Sequence, residues 1–183
     1  EADTAADELL RNNPVPGGGS GVLAATAVVR EIGGFDEKLS NLADWDFYLR
    51  LGQRARLAGV PRPLVGYVIH AGGMAHDVVR SLREFRYVDA KHAGLRAARG
   101  VELDRGAFLY YVATMAYRAG RRWTGMRLHA ELALRHGRLR SLRSIAMGLV
   151  PVRYYLHRVR RGVRSVSPQW LCQAHEWLGA CAG

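Results

Sequence analysis

The chain has 183 residues, of which 49% are hydrophobic and 23% are charged. This composition is typical of a globular protein and excludes wholesale disorder. The two cysteines, Cys172 and Cys181, are too few for a disulfide framework and lack metal-site spacing, so a reducing compartment is expected. The sequence shows neither a secretory signal nor an apolar run long enough to cross a bilayer, which predicts a cytoplasmic location.

The formal net charge is +11, and it is unevenly distributed. Residues 1–77 contain seven Arg or Lys against ten Asp or Glu, whereas residues 78–183 contain twenty against six. This asymmetry predicts two regions, 1–77 and 78–183, the second facing an anionic partner such as a membrane surface or a nucleic acid. Coding bias is the alternative, because almost all the basic residues are arginine.

The first region shows mixed helix and strand signals. In chain order the patterns first predict a short helix over residues 3–11, a Pro- and Gly-rich loop over 12–21 and a strand over 22–25. A helical turn then begins at Thr26 and ends at Gly33 and Gly34. A helix is predicted from Asp44, and a second strand over residues 64–70. The first region is therefore predicted to contain both helices and short strands.

The second region reads as all-α. Helices are predicted over residues 78–98, 107–119, 122–136 and 139–161, and the middle two form a helical hairpin like a tetratricopeptide unit. Residues 138–164 contain eight arginines and no acidic residue, interleaved with apolar residues. This pattern suits an interfacial membrane helix, and equally an ordinary helix that packs its apolar stripe inward.

Four motifs carry the functional interpretation. They are Pro-Gly-Gly-Gly-Ser-Gly at 16–21, Gly-Gly-Phe-Asp-Glu at 33–37, Asp-Trp-Asp at 44–46 followed by Leu-Arg-Leu at 49–51, and Arg-Pro-Leu-Val-Gly-Tyr at 62–67 with His70. In this order and spacing, over about residues 12–77, the chain resembles the second half of family 2 glycosyltransferases. The resemblance implies the back half of a Rossmann-like GT-A domain, an α/β fold, followed by an all-α C-terminal region.

The resemblance assigns the catalytic base to Asp44, a carboxylate that takes the proton of an acceptor hydroxyl as this hydroxyl attacks the sugar. It also implies contacts with acceptor or donor, and a contact of His70 with a metal. The implied contact residues are Asp46, Trp45, Gly18, Gly19 and Arg50. From the residues alone, Asp44 is equally typical of a helix cap, Trp45 of helix core, the glycines of a plain turn, and His70 of a cap or a partly buried side chain.

The resemblance further implies a nucleotide-diphosphate-sugar donor and a divalent cation, Mg²⁺ or Mn²⁺. Asp44-Trp45-Asp46 has the Asp-x-Asp form of the metal motif, but no apolar strand precedes it. The donor and metal half is therefore expected upstream of Glu1, and the chain alone is expected to be inert.

The acceptor implied is a saccharide or a lipid-linked group in cell-envelope or polysaccharide synthesis, at the inner face of the cell membrane. The alternative is a non-catalytic basic helical module that binds anionic membrane or nucleic acid. No nucleic-acid-binding motif supports a role on DNA.

Overall fold

A computed structural model describes residues 2–15, 18–60, 77–149 and 176. Within these ranges the chain forms seven α-helices and one 3₁₀ turn, Gly18–Gly21. The helices are α1 (Ala2–Arg11), α2 (Thr26–Glu31), α3 (Ala43–Leu51), α4 (Val78–Arg99), α5 (Arg105–Arg118), α6 (Arg122–Arg135) and α7 (Ser141–Gly148).

The predicted α/β fold class is wrong for the described ranges, which contain helices and no strand. Residues 22–25, predicted as a strand, are irregular; Val22 and Ala24 pack against the helical core while Leu23 is fully exposed. A short apolar run can serve a helical core as readily as a sheet, because periodicity over four residues is ambiguous. The second predicted strand, residues 64–70, lies outside the described residues.

The first hydrophobic core centres on Trp45 of α3. Its ring lies against those of Phe85 from α4 and Phe108 from α5, with centroids 6.0 and 6.5 Å away. Its indole Nε1 donates a 2.8 Å hydrogen bond to the carbonyl oxygen of Leu9 in α1. A buried indole with its N–H satisfied contributes a large apolar area without leaving a polar group unpaired. Helix α4, placed by its charge in the second region, therefore belongs to the core of the first.

The second core lies between α5 and α6 and includes the first residue of α4. It contains Val78, Val112, Ala113, Ala116 and Leu128. The two helices are joined by a short turn at Gly120, whose φ of +74° suits glycine, and they pack against each other. The predicted helical hairpin is confirmed.

Helix α7 extends this hairpin. It packs against α6, and the Tyr117 hydroxyl donates a 2.6 Å hydrogen bond to the carbonyl oxygen of Ser144. The predicted helix over residues 139–161 begins here, and its part beyond residue 149 lies outside the described ranges. None of the helices in the described ranges combines the length and apolarity that a bilayer span requires.

Glycine-to-alanine changes at Gly125 in the hairpin and at Gly94 in α4 are expected to have opposite effects on the free energy of unfolding. A Cβ at Gly125 would lie 2.5 Å from the buried Tyr117 ring, whereas a Cβ at Gly94 in α4 would meet no atom within 4 Å. We expect Gly125→Ala to lower the free energy of unfolding by about 1–3 kcal/mol through overpacking. Gly94→Ala should raise it by about 0.5–1 kcal/mol, because alanine favours the helix. Urea unfolding of both variants checks the pair; equal effects would contradict this helix contact.

Candidate functional site

Asp44 lies in the first turn of α3, partly exposed. Its Oδ1 accepts a 2.7 Å hydrogen bond from the backbone N–H of Trp45. Burial raises the pKa of the Asp44 carboxyl above its ordinary value, outweighing the opposing effect of backbone hydrogen bonds. The site therefore holds a carboxylate that is more basic than a free aspartate.

The glycine turn at 18–21 lies against this carboxylate. The Tyr48 hydroxyl donates a 2.5 Å hydrogen bond to the carbonyl oxygen of Gly18. A Cβ at Gly18 would lie 3.1 Å from Asp44 Oδ2, and the φ of Gly18 is +57°. Two reasons therefore favour glycine at position 18: its backbone conformation, and the close approach that a Cβ would make to the Asp44 carboxylate. Gly19 follows in the turn, where a Cβ would reach the Phe35 ring at 3.8 Å.

Tyr48 is a site residue that the sequence analysis missed. It lies one helical turn after Asp44, a spacing that places both side chains on one face of α3, and this spacing was the available signal. Burial, followed by the charge of Asp44, raises the pKa of Tyr48 to about 12. Tyr48 therefore keeps its proton at neutral pH and stays a hydrogen-bond donor to the turn.

Glu84 of α4 holds the segment that leads into α3. Its Oε2 accepts hydrogen bonds from the backbone N–H groups of Ser40, Asn41 and Leu42 at 3.1, 2.8 and 3.0 Å. The N-cap residue Leu42 offers no capping side chain of its own. A carboxylate at this position satisfies free N–H groups and favours the helix dipole. The N–H groups of the N-cap residue and of the two residues before it are thus satisfied without Asp44.

Asp46 occupies an environment opposite to that of Asp44. Its carboxylate is fully buried and contacts Arg50 Nε, Lys91 Nζ and His92 Nε2, each at 2.8 Å. Burial alone would raise the pKa of Asp46, but hydrogen bonds from His92, Lys91 and Arg50 outweigh burial and hold it well below its ordinary value. Asp46 is therefore ionised and structural.

Three of the implied contact residues consequently do not line a cleft. Trp45 is 2% exposed and its ring lies in the core, where it offers no face to a sugar. Asp46 is enclosed by its basic partners, so it does not reach an acceptor. Arg50 binds Asp46 and donates a 2.6 Å hydrogen bond to the carbonyl oxygen of Ile32. These three side chains point into the fold. His70 lies outside the described residues.

The Gly-Gly-Phe-Asp-Glu motif docks its loop onto α3 and α4. Asp36 accepts hydrogen bonds from Lys91 Nζ at 2.6 Å and from the Tyr87 hydroxyl at 2.9 Å. The hydrogen bond from Lys91 lowers the pKa of Asp36. The Phe35 ring stacks on Phe47 with centroids 4.5 Å apart. Lys91 thus bridges Asp36 and the buried Asp46.

The described residues do not fit a divalent cation. In ranges 2–15, 18–60 and 77–149, no group of three or more His, Cys, Asp or Glu side chains is arranged to hold a metal. The Asp-x-Asp pair fails for a physical reason, because Asp46 is already neutralised by Arg50 and Lys91. No chemical step at this site is therefore assigned to a metal.

Comparison with known proteins adds no relative. No protein-family model matches the chain, and neither the curated proteins nor the solved structures contain a match. The interpretation of the site therefore depends on its residues and their geometry.

Removal of the Asp46 carboxylate from the buried ion cluster is expected to cause a large loss of stability. Asp46→Asn leaves Arg50 and Lys91 without their shared anion, so we expect the free energy of unfolding at pH 7 to fall by about 3–5 kcal/mol. Asp7→Asn removes the partner of the half-exposed Arg99 and should cost no more than about 1 kcal/mol. Urea unfolding of both variants measures the difference. Equal losses would contradict the structural role of Asp46.

The same cluster predicts a pH dependence. Since the pKa of Asp46 is lower in the folded chain, its stabilisation is complete well above the ordinary value of 3.8 and is lost as the pH falls below it. The stability difference between the natural chain and Asp46→Asn should therefore stay constant from pH 7 to about pH 5 and shrink below about pH 4. Urea unfolding across this range checks the sign. A difference that grows on acidification would contradict it.

The Glu84 carboxylate predicts a smaller effect. Glu84→Gln keeps the shape but removes the charge that three backbone N–H groups share, so we expect a loss of about 1–3 kcal/mol. Glu131→Gln on α6 is the matched control, because Glu131 pairs with the exposed Arg135 and the change should cost less than about 0.5 kcal/mol. Thermal and urea unfolding measure both. Equal losses of unfolding free energy in Glu84→Gln and in its control would show that the Glu84 carboxylate does not stabilise the fold.

Proposed function

We propose that this chain supplies the acceptor-side base of an inverting glycosyltransferase of the family 2 type, with Asp44 as the base. The carboxylate of Asp44 carries the proposal. It is partly exposed, burial raises its pKa, and it forms no ion pair among the described residues. The proposal concerns the chemistry at this carboxylate.

The reaction needs one proton acceptor. As the acceptor hydroxyl oxygen bonds to the anomeric carbon of the sugar, the Asp44 carboxylate takes the hydroxyl proton. The bond between that carbon and the diphosphate oxygen breaks on the opposite face, so the anomeric configuration inverts. A carboxylate with a raised pKa is a stronger base, which suits this role.

The surroundings of Asp44 support this role. Glu84 holds the segment that leads into α3, and the Tyr48 hydroxyl holds the glycine turn beside the carboxylate. Gly18 keeps free the space where a side chain would press on Asp44 Oδ2. The carboxylate is thus positioned by neighbours that do not neutralise its charge.

The remaining components extend the proposal. The donor is a nucleotide-diphosphate sugar and the acceptor a saccharide or lipid-linked group in envelope or polysaccharide synthesis. We assign a divalent cation and the donor diphosphate to residues outside the described ranges, with His70 as the candidate contact. The proposed location is cytoplasmic, peripheral on the inner face of the cell membrane.

The test is turnover by the protein expressed from its complete reading frame. A panel of UDP- and GDP-sugars is offered with a membrane lipid extract as acceptor, and the release of nucleoside diphosphate is measured. Asp44→Asn removes the base without changing the shape, so we expect kcat to fall by about 10²–10⁴-fold. Because burial raises the pKa of Asp44, kcat of the natural chain should rise with pH as this carboxyl deprotonates.

Asp7→Asn is the matched control, since Asp7 pairs with Arg99 at the surface and lies outside the site. It should retain the natural kcat. Equal turnover by Asp44→Asn and Asp7→Asn, in two equally stable variants, would remove Asp44 from the reaction. Absence of acceptor-dependent turnover with every donor would contradict the transferase itself.

A further inference from the structure

The turn between α6 and α7 and the adjoining helix ends expose apolar and basic side chains that lie close together in the sequence. Leu134, Leu139 and Leu142 are 85%, 70% and 53% exposed, although leucine is usually buried. Arg140 and Arg143 are exposed beside them. These five residues, within ten positions at one end of a helical hairpin, are called the turn patch below.

The charge around the turn patch has one sign. Residues 132–149 contain four arginines and no aspartate or glutamate. Two of the arginines are engaged: Arg138 donates to Asp104 at 2.7 Å, and Arg135 pairs with Glu131 at 3.4 Å. Arg140 and Arg143 form no ion pair in the described part of the chain.

The local fold holds the turn patch outward. Gly137, with φ +61°, ends α6, and the backbone N–H of Ser141 bonds to the carbonyl oxygen of Arg138 at 2.8 Å. Ser141 and Gly148 are buried, and a Cβ at Gly148 would lie 2.3 Å from Met126 of α6. Since one face of α7 is committed to α6, the residues that follow Ser141 in its first turn face away from it.

We propose that the turn patch docks the protein on an anionic lipid surface. Arginine guanidinium groups bind lipid phosphates, while exposed leucines enter the boundary between headgroups and acyl chains. The leucines favour lipid over nucleic acid, because phosphate-backbone binding uses cations and base contact uses aromatic rings. The inference deepens the peripheral location proposed above by assigning it a surface, and it requires no turnover.

The experiment is co-sedimentation of the 183-residue chain with vesicles of phosphatidylcholine alone and of phosphatidylcholine mixed with phosphatidylglycerol. We expect binding to the mixed vesicles only, weakened by salt. Arg140→Glu with Arg143→Glu should weaken it at least about tenfold. Arg83→Glu with Arg86→Glu changes the net charge equally on exposed positions of α4 and should have a much smaller effect.

The leucines are tested separately. Leu139→Ser with Leu142→Ser should weaken vesicle binding about tenfold or more at constant charge. The control, Leu23→Ser with Val79→Ser, removes two exposed apolar side chains elsewhere and should bind like the natural chain. Circular dichroism and thermal unfolding establish that each variant folds.

Several results would overturn the proposal. The first is equal binding to neutral and to mixed vesicles, and the second is an equal loss of vesicle binding in the two double-arginine variants. The others are unchanged vesicle binding by the Leu139→Ser, Leu142→Ser variant, and binding to duplex DNA without binding to vesicles. The Asp44→Asn variant should bind vesicles like the natural chain. Vesicle binding without turnover by the protein from its complete reading frame would thus reject the transferase and retain the docking surface, and turnover by that protein without vesicle binding would do the reverse.

Discussion

A buried carboxylate organises the part of the fold that contains the site. Removing Asp46 from water costs several kcal/mol unless partners compensate it, and here Arg50, Lys91 and His92 do so. Arg50 comes from α3 and the other two from α4, so the same contacts fix these helices against each other. Lys91 also binds Asp36, which ties the Gly-Gly-Phe-Asp-Glu loop to the cluster. The register of α3 on α4 then brings Glu84 to the start of α3.

Two aspartates separated by one residue have opposite pKa shifts in this arrangement. The pKa of Asp44 is raised because burial is not offset by a cation, whereas that of Asp46 is lowered because three basic groups surround it. When the environment shifts the pKa values of two neighbouring carboxyl groups in opposite directions, the group with the raised pKa is the candidate for proton transfer. The environment, more than the residue type, therefore separates the proposed base from the structural anion.

Local sequence signals predicted the helices well. The predicted helix over residues 78–98 corresponds to α4, Val78–Arg99, and the hairpin of α5 and α6 was also predicted. These segments are long, and glycines with positive φ follow their ends at Gly100, Gly120 and Gly137. The start of α3 near Asp44 was likewise visible, because acidic residues favour the first turn. Such features depend only on neighbours a few residues away.

The amino-acid sequence by itself thus determined the helices, their ends and the segment that contains Asp44. The tertiary structure alone decided which side chains that segment exposes. Glu84 bonds to Leu42, 42 positions earlier, and His92 bonds to Asp46, 46 positions earlier. Such partners leave no periodic signal in the sequence, because they depend on how α4 packs on α3. For the same reason, the burial of Trp45 and the absence of a strand at residues 22–25 became evident only in the folded chain.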